Sequence, residues 1–334
     1  MKRDKNFIKR LLFSIFAFAM LTAVVPASAK TKYDIIVDQS GHGDYRTVQE
    51  ALDAVKDSSK KETCIFIRNG VYKEKLTLKE SKQNVTLIGE SVVGTVLTYD
   101  DWAQRQGADG KNIGTSGSAS FFINGDDFHA YNITFENSAG PVGQAVAVRI
   151  TSNRVAFVNC RFKGHQDTLY TWGRKSFQLY KDCYIEGTVD FIFGSSTAWF
   201  ENCEIHSLRN GGYLTAASTE EGWKYGYIFH RCRLTAEYGV EKVMLGRPWR
   251  PYAKTVYIDC MMGKHINPMG WFNWGKEKEK TAYYGEVGST DFDGNPIDVS
   301  QRVAWSKQIN RNDYDINKVL ADPEKPQWYK SCLK

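Results

Sequence analysis

"FVNCRF" at 157–162, "YKDCYI" at 180–185 and "FENCEI" at 200–205 share one frame. Two more copies follow, "FHRCRL" at 229–234 and "YIDCMM" at 257–262. Each frame has an aromatic three residues before a cysteine and a large apolar group two residues after it. The cysteines are Cys160, Cys183, Cys203, Cys232 and Cys260, and just before them stand Asn159, Asp182, Asn202, Arg231 and Asp259. Side chains alternate along a strand, so each cysteine shares a face with the residue two positions on. Asn and Asp tolerate left-handed backbone and therefore suit a bend. The frame extends backwards with the cysteine replaced, to Ile133 and Phe135 in "YNITFEN" and to Val85 and Leu87 in "QNVTLIG". From Ile133 onward the steps are 27, 23, 20, 29 and 28 residues. A unit of that size, without a helical period, holds a few short strands and turns. Units that stack through backbone hydrogen bonds make an all-β solenoid, the parallel β-helix. A sandwich of hairpins would instead need two-residue turns between antiparallel runs.

In a solenoid the ladder cysteines are small buried hydrophobes. Successive coils lie roughly 4.8 Å apart, within bridging range, and a Cys183–Cys203 disulfide is the less favoured alternative. Cys332 stands outside the ladder, as a tail cysteine. An end coil needs a cap, and "TVQEALDAV" at 47–55 offers a short N-terminal helix. Thr47 and Glu50 would form its capping box, and Val48, Ala51, Leu52 and Val55 its apolar face. Residues 94–120, rich in Gly and Ser, read as a long loop. Beyond about residue 275 the ladder is lost and the chain is expected to fold back along the outside.

The first 29 residues read as an export signal: a basic start, the apolar run "LLFSIFAFAMLTAVV", and Ala27-Ser28-Ala29 as a small-x-small cleavage site. The run is short for a membrane anchor. Residues 30–334 would then form one secreted domain, with no membrane attachment after signal removal. The leader carries Lys2, Arg3, Lys5, Lys9 and Arg10 against Asp4, a net +4 of the total +6, which leaves about +2. That is no footprint for nucleic acid. The "KEKEK" run at 276–280 mixes signs and reads as a solvated loop. No exposed apolar stripe is evident, and a monomer is expected.

Asp167 in "GHQDTLY" and Asp190 in "TVDFIFG" each lie seven residues after a ladder cysteine, hence in phase on adjacent coils. Gln144 in "GQAVAVR" lies 23 residues before Asp167. One 23-residue coil would bring Gln144, Asp167 and Asp190 into a column, with Gln166 beside it. A single such Asp would read as a solvated turn. Two stacked acids repel, so one keeps its proton while the other ionises, an arrangement found where an acid and a base are both wanted. Arg247 in "LGRPWRPY" is the candidate cation, although the longer coil there prevents placing it by count. Trp249 and Trp271 could stack on sugars or cover the coil flank. There is no H-E-x-x-H cluster and no G-x-S-x-G elbow, and no metal or cofactor is expected.

"GDYRTVQEA", "GQAVAVR", "GHQDTLY", "VDFIFG" and "LGRPW" resemble, in order, the motifs of the pectin methylesterases, over residues 34 to 310. The resemblance implies a right-handed parallel β-helix and hydrolysis of methyl esters in homogalacturonan. It implies Asp190 as nucleophile and Asp167 as general acid, then base. Arg247 would orient Asp190, while Gln144 and Gln166 stabilise the oxyanion. It further implies substrate contacts at Thr115, Trp249, Trp271 and Tyr170. The rivals on the same fold are a pectate lyase, a galacturonan hydrolase using carboxylates across a glycosidic bond, and a non-catalytic carbohydrate-binding solenoid.

Overall fold

Among the described residues every strand pairing between successive coils is parallel, and the strands assemble into three sheets of eleven, seven and eight strands. The computed structural model describes residues 33–173 and 175–333. They belong to one compact unit, Tyr33–Lys334. The proposed export signal lies outside the described residues.

The repeated frame marks the corner between the first and third sheets. Phe157, Tyr180, Phe200, Phe229 and Tyr257 pair in register along the first sheet. Their rings stack nearly parallel at centroid distances of 5.3, 4.6, 4.4 and 4.6 Å. The residues two past each cysteine, Phe162, Ile185, Ile205, Leu234 and Met262, pair in register along the third sheet. Between the two rows the chain turns through a left-handed residue: Asn159, Asp182, Asn202, Arg231 and Asp259 have φ of 50–54°. A left-handed angle costs an ordinary L-residue roughly 1–2 kcal/mol, which is why Asn and Asp dominate there. Arg231 is the exception in kind.

All seven cysteines are free thiols. The Cys183 and Cys203 sulfurs lean on the backbone carbonyls of Phe157 and Tyr180, each one coil earlier, at 3.4 Å. Each thiol thus has an acceptor without bridging its neighbour. Cys332 is buried, with the Tyr131 hydroxyl 3.4 Å from its sulfur.

The cap forms as the sequence predicts. Val48–Ala54 is helical, with both halves of the Thr47–Glu50 capping box present and Val48, Ala51 and Leu52 buried. Three expectations need correction. Val85 and Leu87 lie on a first-sheet strand, where Leu87 pairs with Ala130 and Ala130 with Phe157, so they occupy the aromatic row and not the cysteine corner. Residues 94–120 are not one loop: Thr95–Tyr99 is a third-sheet strand with buried Thr95, Leu97 and Thr98, and Gly114–Gly117 is a short helix. The ladder also outlasts residue 275, because Tyr283–Val287 adds a first-sheet strand beside Lys254–Ile258. After it the chain does fold back. Val319, Leu320, Trp328 and Tyr329 cover Leu179, Trp199, Ile228 and Val256 on the outer face of the first sheet.

Candidate active site

The seven-stranded second sheet carries the site. On its strands Leu76–Leu78, Phe121–Ile123, Val148–Ile150, Leu169–Thr171, Val189–Gly194 and Tyr213–Ala217, one face looks into the solenoid. The other bears a cross-coil row: Phe122, Arg149, Tyr170, Phe193 and Ala216 are register partners in succession. Tyr170 stacks on Phe193 with centroids 4.2 Å apart. Ala216 ends the row with a methyl group, and Trp249 leans edge-on over Phe193. Beyond Arg149, whose guanidinium lies 5.7 Å from the Tyr170 centroid, the Tyr170–Phe193–Ala216 part of the row is an apolar floor on the outside of a sheet, where a soluble protein ordinarily puts polar groups.

A cleft of about 270 Å³ opens over this floor, lined by Thr115, Ser116, Gln144, Gln166, Asp167, Asp190, Arg247, Trp249 and Trp274 among others. Asp167 and Asp190 both enter it from left-handed backbone, with φ of 65° and 51°. At Asp190 the sheet register slips between Val189 and Ile192, whose partners are Tyr213 and Thr215. Two residues therefore face one across the ladder, a bulge that re-aims a side chain. Phe191 goes into the core and Asp190 into the cleft. Gly194 is required by the tight stacking behind this bulge, since a Cβ there would lie 1.7 Å from the Thr171 carbonyl oxygen.

Arg247 reaches Asp190 with two parallel hydrogen bonds, Nε to Oδ1 at 2.9 Å and Nη2 to Oδ2 at 2.7 Å. The guanidinium itself lies between two rings, 3.9 Å from the Tyr213 centroid and 3.8 Å from that of Trp274. This clamp fixes the plane of the fork and removes water from both its faces, which strengthens the pair. The two acids are thereby made unequal. Burial, then the neighbouring charge of Asp190, pushes the Asp167 carboxyl well above the usual range, opposed only by the charge of Arg247. Burial also raises Asp190, but there the Arg247 hydrogen bonds and charge both pull back. The fork of Arg247 therefore favours the ionised form at Asp190, and the repulsion between the two carboxyls favours the protonated form at Asp167.

The glutamines stand on the side of the cleft before Asp167. Gln144 pairs with Gln166 across the coils, and the Ala145 N–H donates to the Gln166 carbonyl at 3.0 Å. The expected column of Gln144, Asp167 and Asp190 is corrected here. The 23-residue step holds from Leu169 to Ile192, but Gln144 pairs with Gln166, a 22-residue step, and Val148 with Leu169, a 21-residue step. The shorter step puts Gln144 opposite Gln166, the residue beside Asp167, and out of line with the two acids. The Gln104 amide donates to Gln144 Oε1 at 3.2 Å, which turns the Gln144 NH₂ away from it. The buried Asn137 amide nitrogen lies 2.9–3.2 Å from the carbonyls of Asp101, Ser118 and Val146, tying the end of the Gly114–Gly117 helix to the segment that follows Gln144.

Of the expected site residues, Asp167, Asp190, Arg247, Gln144, Gln166, Thr115, Tyr170 and Trp249 converge on this cleft. Trp271 does not. It is fully buried in the core, 5.7 Å from Tyr257 and 4.8 Å from Tyr284, and has no face to offer a sugar. The chain pairs Trp271 with Gly246 as a further rung of the second sheet, which points its ring inward. Trp274, three residues on in the same "GWFNWG", is the tryptophan in the cleft, and the sequence reading missed it. It also missed Tyr213, Phe193 and Ser116. The regular 23-residue spacing from Tyr170 to Phe193 could have revealed Phe193; nothing in the spacing marks Trp274.

The comparisons with known proteins agree with this architecture. A family model described as pectinesterase matches residues 34–320. Pectinesterase 31 of Arabidopsis thaliana is 40% identical over 308 residues, covering 89% of this chain and 95% of its own. The solved pectin methylesterase from carrot is 34% identical with a TM-score of 0.76, covering 85% of this chain and 90% of that one. A pectin methylesterase solved in complex with a hexasaccharide is 30% identical, also with a TM-score of 0.76, and covers 87% and 98% of the two chains. Its fold, the right-handed parallel β-helix, its cleft and its likeness over nine-tenths of its length place this chain in the pectinesterase family of carboxylic ester hydrolases.

Proposed function

We propose that this protein hydrolyses the methyl esters of galacturonate units in pectin, releasing methanol and leaving homogalacturonan carboxylates. The observation that carries the reading is the inequality of the acid pair: one buried carboxylate forked by a clamped arginine, the other beside it without a cationic hydrogen-bond partner.

Asp190, ionised and held by Arg247, attacks the ester carbonyl carbon and forms a tetrahedral intermediate. The Gln144 and Gln166 amides donate to the oxygen on which negative charge develops. The carbon–methoxy bond then breaks, and methanol leaves with the proton that raised, protonated Asp167 supplies. The enzyme is left as a mixed anhydride at Asp190. Water attacks that acyl carbon while Asp167 takes its proton, the anhydride bond breaks, and Asp190 returns as a carboxylate. Ester and water become acid and methanol, and Asp167 ends protonated as it began. Arg247 serves as a positioning residue, and Thr115, Tyr170, Trp249 and Trp274 as substrate contacts.

The basic start, apolar run and small-x-small site at the N-terminus support a secreted protein, and the relatives' names support pectin as its substrate; we propose that it acts as a monomer. The test is methanol release from highly methylated pectin, with chain length followed in parallel. Methanol without shortening is expected. Unsaturated or shortened chains without methanol would favour the lyase or the glycosidic hydrolase, and no release of any kind the binding solenoid.

A further inference from the structure

A second cavity, of about 290 Å³, lies between the first sheet and the fold-back after residue 310, and it shares no lining residue with the acid-pair cleft. The solenoid supplies one wall, where Lys254 and Tyr283 are register partners on neighbouring first-sheet strands. The fold-back supplies the other, with Tyr314 and Lys318. The two walls are tied together: the Tyr225 hydroxyl donates to the Asp313 carbonyl at 3.2 Å, and the Tyr225 and Tyr314 rings meet with centroids 5.9 Å apart. The charge of the lining is unbalanced. Lys224, Lys254 and Lys318 face a single acid, Asp313, and among the described residues none of the three lysines forms an ion pair. Lys224 is held at the wall with its ammonium 5.0 Å from the Tyr225 centroid. Lys254 is half-buried and donates to the carbonyls of Trp223 at 2.5 Å and Lys224 at 3.4 Å. An ammonium has three donors, so two backbone acceptors leave one for a ligand. Burial lowers the Lys254 pKa, and no neighbouring carboxylate opposes the shift. A desolvated cation without a counter-ion gains from an anion brought to it.

We propose that this cavity is a second, non-catalytic binding site for a sugar acid, in which the three lysines hold the carboxylate and Tyr283 and Tyr314 pack against the ring. The volume is at the lower end of small-ligand pockets, which suits a short stretch of sugar and not a folded partner. Tyrosine offers an apolar face and a polar tip together, as a pyranose needs, and Asp313 can accept from its hydroxyls. The choice of galacturonate among sugar acids rests on the esterase reading. On that reading the cleft consumes a neutral ester and produces an anion, so the lysine site takes the product and passes over the substrate. De-esterified stretches of the polymer would then dock on the first sheet while the second sheet works on esters elsewhere.

The experiment titrates unmethylated trigalacturonate into the wild type and into a Lys224→Gln/Lys318→Gln double variant, followed by calorimetry at low salt. Both lysines are exposed, glutamine keeps most of each stem, and a thermal midpoint confirms folding. The variant should weaken a binding step of the wild type by about fivefold, the size expected for two exposed charge contacts, and high salt should weaken the wild-type step likewise. Methanol release from a fully methylated trimer, which reports the cleft alone, should keep its kcat and KM. Equal binding of trigalacturonate by the two proteins overturns the site and leaves the esterase reading intact. Inorganic phosphate or a neutral galactose trimer that binds the wild type as tightly as trigalacturonate overturns sugar-acid recognition. A wild type that binds trigalacturonate through these lysines but releases no methanol overturns the esterase reading and supports the cavity as a sugar-acid site in its own right.

Discussion

On the proposed mechanism, Asp167 is the residue at which stability and chemistry conflict most openly. Its carboxyl is buried, no side-chain donor among the described residues reaches it, and Asp190 adds repulsion. Because its folded pKa lies above its unfolded value, folding favours its protonated form. That contribution is fully present below the unfolded pKa, near 4, and is lost as pH rises through the raised folded value. Asp167→Asn should therefore stabilise the protein at neutral pH, on the order of 1–3 kcal/mol, and the advantage should vanish near pH 3.5. Thermal midpoints of both proteins across that range check this, and an advantage that grows toward acid would contradict it. The same variant should lose most of its methanol release, since the leaving group then departs without a proton. Arg247→Lys should also fail. An ammonium cannot make two parallel bonds to Asp190, and it cannot lie flat between Tyr213 and Trp274. A loss of about 10²-fold in kcat is expected, the cost of a misplaced nucleophile. Activity close to that of the wild type would mean that charge alone, without the fork, suffices.

The corner between the first and third sheets is the element best read from sequence. Its left-handed turn, its aromatic row and its cysteine row each repeat with a recognisable residue type. The site was legible where it shares that spacing, as Asp167 and Asp190 do. It became illegible where coil length changes: Gln144 faces Gln166 because the coil is one residue short at that rung, and Trp271 and Trp274 exchange roles because the chain leaves the sheet between them. Local residue types cannot report a register set by the neighbouring coil. Arg231 offers a test of the corner. It takes the left-handed angle that Asn or Asp takes in the other cysteine frames, with φ of 54°. Arg231→Asn should raise stability by up to about 1 kcal/mol, measured by chemical unfolding. A loss of that size would mean that the Arg231 side chain contributes more near Glu201 than the backbone strain costs.

Across the whole molecule the three sheets have different duties. The second presents the cleft, while the first is closed off by the C-terminal segment. Trp328 donates from its indole to the Leu320 carbonyl at 3.0 Å, and Arg154 joins Asp322 of the segment to Asp127 of the solenoid. Trp328→Ala should free this cover at a cost of about 3 kcal/mol. Limited proteolysis should then cut after residue 310, with kcat on pectin unchanged because the cleft lies on another sheet. A fall in kcat to the level of a site variant would show that the cover and the cleft are coupled. Asp190 as the attacking group is the centre of the proposed mechanism. The most direct measurement is methanol release by Asp190→Asn at matched folded concentration, with folding verified by circular dichroism and thermal midpoint. We expect a folded protein whose kcat falls by about 10⁴-fold or more, leaving only what the oxyanion donors and binding supply. A folded Asp190→Asn protein that releases methanol at the wild-type rate would contradict the mechanism at its centre.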